Sequence, residues 1–317
     1  MKAAVVRSFD QGPQYDSFEL PVQPADGVVV DVLAAALSPR VRSAASGAHY
    51  TSRGALPLVP GVDGVGRLAS GQRVYFVGAS DTVGTMAERA LADPRLAVAL
   101  PDGVSSPAIA AGMLPAMSSW VALTMRAPIQ PGQRVLVLGA TGTSGRLAVQ
   151  IAKLLGAGEV IAVGRDAAGL DQARALGADQ VVRWTATPAD CDAVTQVASE
   201  VDIVLDYLWG TVTSALLPAL CRHRRAESRA LRWVVIGSVA GDEIALSSVL
   251  LRKRNLQILG SGQGASSTAE LFSVAPEIVA AFAERRLSVR LRELPLAEVA
   301  AGWSARSESG ERVVFVP

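Results

Sequence analysis

A glycine-rich segment that follows an apolar strand constrains the fold of this chain more than any other feature. Residues 135–138 are Val-Leu-Val-Leu. Three glycines follow at intervals of three residues, Gly139, Gly142 and Gly145, and residues 144–155 have a helical pattern. Glycine permits a tight turn and lets backbone N–H groups approach an anion, and a helix N-terminus adds partial positive charge. Strand, loop and helix together predict a site for the pyrophosphate of a dinucleotide, although the glycine spacing alone also fits a purely structural turn.

This predicted site lies in a stretch where strands and helices alternate regularly. Short runs of Val, Ile and Leu alternate with amphipathic segments, which is typical of a parallel sheet covered by helices on both faces. The predicted strands are 134–138, 160–163, 181–182, 201–205, 233–236 and 256–259, and the predicted helices are 144–155, 170–176 and 213–221.

The two ends of the chain have a different pattern. A β-branched run at 28–33 and glycine-rich segments at 61–66 and 71–78 indicate short strands with tight turns, as in a barrel-like β module. From about residue 262 the alternation stops, and a helix near 273–285 and strands at 289–294 and 312–316 are predicted. Since no alternation remains to be continued, we expect this tail to return to the first domain.

The end of the second predicted strand bears on which dinucleotide is bound. About 20 residues after the glycines, an acidic residue would hold the 2′-hydroxyl of NAD, whereas an arginine would accommodate the 2′-phosphate of NADP. Here Gly164 is followed by Arg165, whose planar guanidinium suits a phosphate, and then by Asp166. Arg165 favours NADP, and Asp166 beside it leaves NAD open.

Composition disfavours several classes of function. Hydrophobic residues make up 50% of the 317 residues, and 30 Lys and Arg nearly balance 29 Asp and Glu, so the net charge of +1 gives no footprint for nucleic acid or an anionic membrane. Two cysteines, Cys191 and Cys221, cannot form a disulfide framework or a four-cysteine zinc site and are expected to be inert.

Targeting signals are also not evident in the sequence. The N-terminus lacks the apolar region of a signal peptide, and apolar stretches are interrupted short of the roughly 20 residues that a membrane span needs. We therefore predict a cytoplasmic protein. The basic run 222–225 is expected to form a solvated surface.

Several further segments follow one another in an order that is more specific than any one of them. They are residues 1–3, 38–50, 58–66, 84–88, 100–105, 118–123, 131–137 and 174–179. Together with the glycine loop, they resemble the medium-chain dehydrogenase/reductase superfamily, in its zinc-free quinone oxidoreductase branch. The resemblance runs nearly from end to end of the chain.

The resemblance implies an α/β protein with two nested domains. A discontinuous, GroES-like β-barrel catalytic domain would comprise residues 1–106 and 262–317. A Rossmann domain with a doubly wound parallel sheet, residues 107–261, would be inserted into it. Homodimers are usual in the family, often through edge strands of the Rossmann sheet, and 256–259 is the candidate edge.

The resemblance also implies that NADPH lies in a cleft against the glycine loop and the loops after the later strands. The implied cofactor-binding residues are Ser118, Gly139, Thr141, Gly142, Thr143, Ser144, Gly145, Gly164, Arg165, Asp206, Gly237, Ser238, Gly260 and Ser261. Asp206 has an alternative interpretation, because a carboxylate at a strand end often caps a helix or accepts a loop hydrogen bond.

Tyr50 is the candidate catalytic residue, as the proton donor, because related enoyl reductases have a tyrosine at this motif position. In the alternative, Tyr50 only lines the cleft and water supplies the proton. His49 titrates near neutrality, but we expect it on a loop surface.

The chain lacks the metal ligands of the zinc alcohol dehydrogenases. Those enzymes would have a cysteine near Pro39 and a Gly-His-Glu triplet at Gly61, Val62 and Asp63. We therefore expect no metal site.

The predicted function is zinc-independent, NADPH-dependent hydride transfer to a quinone or an α,β-unsaturated carbonyl compound. Ser38 and Val41 replace the Asn and Asp of the family motif. This departure motivates an alternative, an NADPH-binding protein with a structural or redox-sensing role and little turnover. A biosynthetic enoyl reductase with one dedicated substrate is a further alternative.

Overall fold

The computed structural model describes residues 1–20, 27–49, 52, 54–80, 82–226, 228–305 and 308–317. The chain forms two compact units, Met1–Leu114 with Ala275–Pro317 (the terminal unit) and Pro115–Val274 (the central unit). The terminal unit is discontinuous in sequence. Its first border falls inside a long helix, Ser106–Val121.

The strands are numbered in chain order. They are β1 (Lys2–Val5), β2 (Gln14–Ser17), β3 (Val28–Ala36), β4 (Asp63–Arg67), β5 (Arg73–Gly78), β6 (Arg89–Ala99), β7 (Arg134–Leu138), β8 (Glu159–Gly164), β9 (Gln180–Arg183), β10 (Ile203–Asp206), β11 (Leu231–Val235), β12 (Leu256–Gly260), β13 (Arg290–Pro295) and β14 (Glu311–Val316).

The helices are numbered in the same way. They are α1 (Pro39–Ala45), α2 (Ser106–Val121), α3 (Thr143–Leu154), α4 (Ala167–Ala175), α5 (Pro188–Ala198), α6 (Gly210–His223), α7 (Ser248–Lys253), α8 (Thr268–Ser273), α9 (Ala275–Ala283) and α10 (Val299–Ser304). A π-helical turn, Ala122–Arg126, continues α2, and a 3-10 turn, Leu296–Glu298, precedes α10.

The central unit is built on a six-stranded sheet in the order β12-β11-β10-β7-β8-β9. Every neighbouring pair is parallel. Its apolar side chains, among them Leu136, Ile161 and Trp233, are buried in one core. The predicted doubly wound sheet is confirmed, and its strand order reverses between β7 and β10, where such sheets bind ligands.

Helix α5 was not predicted, although its start has a recognisable signal. Thr187 and Asp190 form a capping box, and Pro188 occupies the first helical turn. The single helix predicted near 273–285 is instead two helices, α8 and α9, which meet at Val274.

The terminal unit contains a sheet in the order β13-β14-β3-β4-β5-β6, and β3 also pairs with β6. The extra pairing closes β3 to β6 into a small barrel. Gly66 allows the close approach, because a Cβ atom there would lie 2.3 Å from Val30 Cγ1. Strand β14 pairs with β3 at Val314 and Ala36, so the C-terminal tail returns to the first domain as expected.

One helical segment, Ser106–Arg126, is long and apolar enough to cross a membrane by length and composition, with a mean hydropathy of 1.4. However, 72% of that window is buried inside the protein, and the core helices of globular proteins meet the same criterion.

Candidate cofactor site

The loop after β7 has the geometry of a phosphate-binding turn. Gly139 adopts a φ of +89°, which favours glycine, and its N–H and that of Ala140 both donate to the carbonyl of Val163 in the neighbouring strand. These two bonds tie the start of the loop to β8. The loop therefore leaves the sheet in one conformation, at the point where the strand order reverses.

Helix α3 begins immediately after this loop. Gly142 is its N-cap, with no side-chain hydrogen bond to the first turn. A Cβ atom on Gly145 would lie 2.2 Å from the carbonyl oxygen of Gly139, so only glycine lets the helix pack this closely on the strand. On Gly142 the same atom would meet only Gly139 O, at 3.6 Å. The loop thus combines a tightly packed inner side with an open side at a helix N-terminus, which suits a phosphate.

The side chain of Thr141 packs between the end of β8 and the start of α4. Cβ atoms added to Gly164 and Gly169 would lie 2.4 Å and 2.8 Å from Thr141 carbon atoms. Thr141 therefore has a packing role, and the two glycines make space for it. Thr143 and Ser144 lie in the first turn of α3 and are partly exposed.

Arg165 and Asp166 follow β8 directly. Arg165 is exposed, whereas one carboxylate oxygen of Asp166 accepts from Gly169 N at 2.9 Å and caps α4. Arg183, at the end of β9, donates from Nε to the carbonyl oxygen of Arg165 at 3.2 Å. Arg183 was not among the predicted site residues, because it is 18 residues from Arg165 in the sequence.

Asp206, the last residue of β10, is fully buried. Oδ1 accepts from the backbone N–H groups of Leu208 and Trp209, each at 2.8 Å. Oδ2 accepts from the Thr213 hydroxyl and from Trp233 Nε1. Both oxygens are therefore used within the protein, and the carboxylate holds the loop after β10. The capping interpretation is the one that the contacts support.

Asp206 also stabilises an unusual backbone in that loop. Trp209 has a φ of +52°, and Gly210 the same value. A Cβ atom on Gly210 would lie 2.1 Å from the carbonyl oxygen of Ala240. Trp209 packs against the core and donates from Nε1 to Asp242 O at 3.2 Å.

A group of three hydroxyls lies between this loop and α2. The Tyr207 hydroxyl is 2.7 Å from Ser119 Oγ and 3.4 Å from Ser118 Oγ. Ser118 Oγ donates to Pro115 O at 2.7 Å, so it acts as an acceptor towards other partners. Ser118 is the partly exposed member, and burial raises the pKa of Tyr207. Ser118 was predicted as a site residue from the sequence, whereas Ser119 and Tyr207 were not.

The remaining predicted cofactor residues lie at the carboxyl ends of β11 and β12. Gly237 packs on the backbone of Tyr207, and Ser238 is exposed. Gly260 O accepts from Arg126 Nε at 2.8 Å, and Ser261 N donates to Val235 O at 2.8 Å. The structure thus brings the residues at the ends of β7, β8, β10, β11 and β12 to the same edge of one sheet.

The candidate catalytic residue, Tyr50, lies outside the described residues. His49 next to it is half-buried, and burial, with a smaller effect of Arg40, lowers its pKa. The imidazole is therefore neutral at pH 7.

Two other sequence-based expectations concern charged and metal-binding groups. The basic run 222–225 is not wholly solvated, because Arg224 is buried and donates to the carbonyl groups of Ser199, Val201, Arg229 and Ala230. Within the described ranges, no group of three or more His, Cys, Asp or Glu side chains is arranged to hold a metal ion.

Asp63, at the position of the zinc-enzyme triplet, is buried in the terminal unit. It accepts from the Tyr75 hydroxyl at 3.0 Å. Burial raises its pKa to about 6, although Tyr75, Arg40 and Arg312 act in the opposite direction.

The sequence and fold match proteins of one family. The family model described as zinc-binding dehydrogenase matches residues 145–279. A probable NADPH-dependent quinone reductase of Emericella nidulans is 30% identical over 335 residues, which cover 93% of each protein. A polyketide synthase system protein of Streptomyces orinoci is 31% identical over 82% of this chain, which corresponds to 11% of that protein.

A solved structure matches the whole chain. The quinone oxidoreductase of Thermus thermophilus, also solved in complex with NADPH, is 26% identical, covers 100% of both chains and has a TM-score of 0.79. The similarity along nearly the whole chain, the closed small barrel and the parallel sheet all indicate the same family. The chain therefore belongs to the medium-chain dehydrogenase/reductase superfamily, within its quinone reductase branch of oxidoreductases.

Proposed function

We propose that this protein is a zinc-independent, NADPH-dependent reductase of quinones or α,β-unsaturated carbonyl compounds. The proposal rests mainly on the loop 139–145. This loop packs tightly on the sheet at Gly145, is open at Gly142, and lies where the strand order reverses between β7 and β10. The NADPH named for the relatives from Emericella nidulans and Thermus thermophilus supports this choice of cofactor.

The residues present fit a dinucleotide phosphate. Gly142, Thr143, Ser144 and Gly145 would hold the pyrophosphate at the start of α3, and Arg165 the 2′-phosphate. The Asp166 carboxylate caps α4 and is therefore less suited to accept a hydrogen bond from the 2′-hydroxyl of the NADH ribose. This favours NADPH over NADH.

When bound, NADPH supplies a hydride for the acceptor. The protein's own contribution would be to orient the acceptor for transfer and to supply hydrogen bonds to the oxygen on which charge develops. Ser118, fixed by Pro115 O and Tyr207, would present an acceptor lone pair to the cofactor. Tyr50 would deliver the proton that completes reduction of a C=C bond.

Zinc independence rests on the residues at the would-be ligand positions. The chain has Ser38, Pro39 and Arg40 where a cysteine would be needed, and Val62 in place of histidine. Asp63, the one carboxylate there, already accepts from Tyr75 and lies in the field of Arg312.

Cofactor binding is tested by titrating NADPH fluorescence with the wild-type protein and with Gly142→Ala. The added methyl group has room within the protein, so we expect unfolding free energy to fall by at most about 1 kcal/mol, the cost of a poorer N-cap. The same methyl stands on the open side of the loop, so the Kd for NADPH should rise at least about tenfold. Unchanged affinity in Gly142→Ala, or no NADPH binding by the wild type, would refute the proposed site.

Turnover separates the reductase from a binding protein with a structural or redox-sensing role. With saturating NADPH, loss of its absorbance in the presence of 1,4-benzoquinone or simple enones supports the reductase. Binding without any oxidation across the panel would favour the non-enzymatic alternative that Ser38 and Val41 motivated.

The role of Tyr50 is tested by Tyr50→Phe, with the exposed Tyr15→Phe as the control. If Tyr50 donates the proton, kcat for an enone should fall by about 100-fold, the lower end of general acid catalysis, while NADPH affinity is retained. An unchanged kcat would leave water as the donor.

A dedicated biosynthetic enoyl reductase is the second candidate. The match of 82% of this chain to a segment of a polyketide synthase system protein favours it. Enones carried on a thioester, compared with free quinones in the same panel, distinguish the two by kcat/KM.

A homodimer through β12 is part of the proposal. β12 is an edge strand, and exposed apolar side chains, Val239, Leu246, Val249 and Leu251, lie in the segment before it. Sedimentation of the wild type and of Leu251→Lys tests this; a monomeric wild type would contradict it.

A further inference from the structure

The ends of two neighbouring strands bring a second arginine to Arg165. In the parallel pairing of β8 and β9, Gly164 is opposite Arg183, and Trp184 N donates to Gly164 O at 2.8 Å. Trp184 is 5% exposed and packs in the core, so the chain after β9 is anchored. Arg183 therefore has a fixed position beside the residue that follows β8.

The contact between the two arginines uses few of their donors. Arg183 Nε donates to the backbone carbonyl of Arg165 at 3.2 Å. This bond leaves the terminal N–H groups of Arg183 and the whole Arg165 guanidinium for an anion. Both side chains are exposed, so a ligand has access to them.

The acidic residues nearby are turned away from this pair. Asp166 caps α4 through Gly169 N. Asp190 accepts from the backbone N–H groups of Thr185 and Thr187, at 2.6 Å and 3.0 Å. Among the described residues, no carboxylate forms an ion pair with Arg165 or Arg183. Two guanidinium groups that start from neighbouring strand ends, with no carboxylate paired to them, favour a dianion over a neutral hydroxyl.

We infer that Arg183 is a second, specificity-determining ligand of the 2′-phosphate of NADPH, and that it forms a clamp with Arg165 across the ends of β8 and β9. The inference rests on the proposed function and adds a residue to it. Adjacent strands lie about 4.8 Å apart, so the clamp stands one to two strands from the glycine loop, on the side away from β10. This spacing suits the adenosine ribose of a dinucleotide whose pyrophosphate lies at α3.

The test measures binding without turnover. Isothermal titration with 2′,5′-ADP and with 5′-AMP compares two ligands that differ by the 2′-phosphate. The variants are Arg183→Ala, Arg183→Lys, Arg165→Ala and the control Arg174→Ala, an exposed arginine in the last turn of α4. NADPH and NADH are titrated in parallel.

We expect Arg183→Ala to weaken 2′,5′-ADP and NADPH about tenfold and to leave 5′-AMP and NADH within about twofold. Arg183→Lys should recover part of the loss, because the charge remains and the planar fork does not. Arg174→Ala should change none of the four.

Two results overturn the inference in distinguishable ways. If the wild type prefers 2′,5′-ADP but Arg183→Ala keeps that preference, the clamp is wrong and the proposed NADPH dependence stands. If the wild type binds both nucleotides equally, the NADPH dependence fails and the clamp fails with it.

Discussion

Each unit buries an aspartate at one end of a strand, and the surroundings of the two carboxylates differ. Asp206 in the central unit accepts four hydrogen bonds from neutral donors, two backbone amides and two side chains. Asp63 in the terminal unit accepts one bond from a side chain, Tyr75, and otherwise relies on the charges of Arg40 and Arg312. The carboxylate of Asp206 is held by four donors in contact, whereas that of Asp63 is held by one donor and by the charges of two arginines.

The pKa values of Asp63 and Arg312 show that burial disfavours the charged forms of both groups. Burial raises the pKa of Asp63 to about 6, and burial lowers the pKa of Arg312 to about 10. Each group therefore loses more from desolvation than it gains from its partner. One hydrogen bond and two nearby cations therefore do not offset the burial of Asp63, and the following substitutions test its contrast with Asp206.

The largest effect is expected for Asp206→Asn. The amide group would face either the two backbone N–H groups or Trp233 Nε1, and a buried donor would lose its acceptor. The free energy of unfolding should fall by about 3–4 kcal/mol in urea titration. Asp192→Asn, at an exposed aspartate, should change it by less than about 0.5 kcal/mol. Similar results for the two variants would contradict the assigned role of Asp206.

Asp63→Asn should change the pH dependence of stability. Because the folded pKa is raised from 3.8 to about 6, the folded state binds a proton that the unfolded state releases, and wild-type stability falls as pH rises through that window. Between pH 4 and pH 7 the wild type should lose about 2–3 kcal/mol relative to Asp63→Asn. Urea unfolding at both pH values measures this difference, and a constant difference would disprove the raised pKa.

Thr213→Val tests the network around Asp206 without changing side-chain volume. Removing one hydroxyl that donates to a charged acceptor should cost about 2 kcal/mol in the free energy of unfolding. Thr213→Ser keeps the donor and is the control. A smaller loss for Val than for Ser would show that methyl packing, rather than the hydrogen bond, matters at this position.

Tyr75→Phe should give the smallest effect. It removes the hydroxyl that lowers the pKa of Asp63, so the window in which stability falls should move to higher pH. At pH 8 the loss should be about 1 kcal/mol. In the Asp63→Asn background this shift of the window should disappear, which a double-mutant cycle over pH measures.

Much of the central unit could be predicted because its signals are local. Strand β7, the three glycines of the loop and helix α3 lie within about 20 residues, and turn, close approach and helix start each require a particular residue type. Helix α5 also has a local signal, the capping box of Thr187 and Asp190, although no helix was predicted there. For Asp206, the sequence left a cofactor contact and a capping role both open, because it shows that this residue ends a strand but does not show what surrounds its carboxylate.

The sequence by itself determined the parallel-sheet architecture, the glycine loop and the family, since these depend on periodicity and on residue types at short spacing. Only the tertiary structure decided that Arg183 lies beside Arg165, that Tyr207 joins Ser118 and Ser119, and that Asp206 is enclosed. These contacts depend on which strands become neighbours and in what register. Those choices arise from the packing of the whole sheet, and no short stretch of sequence contains them.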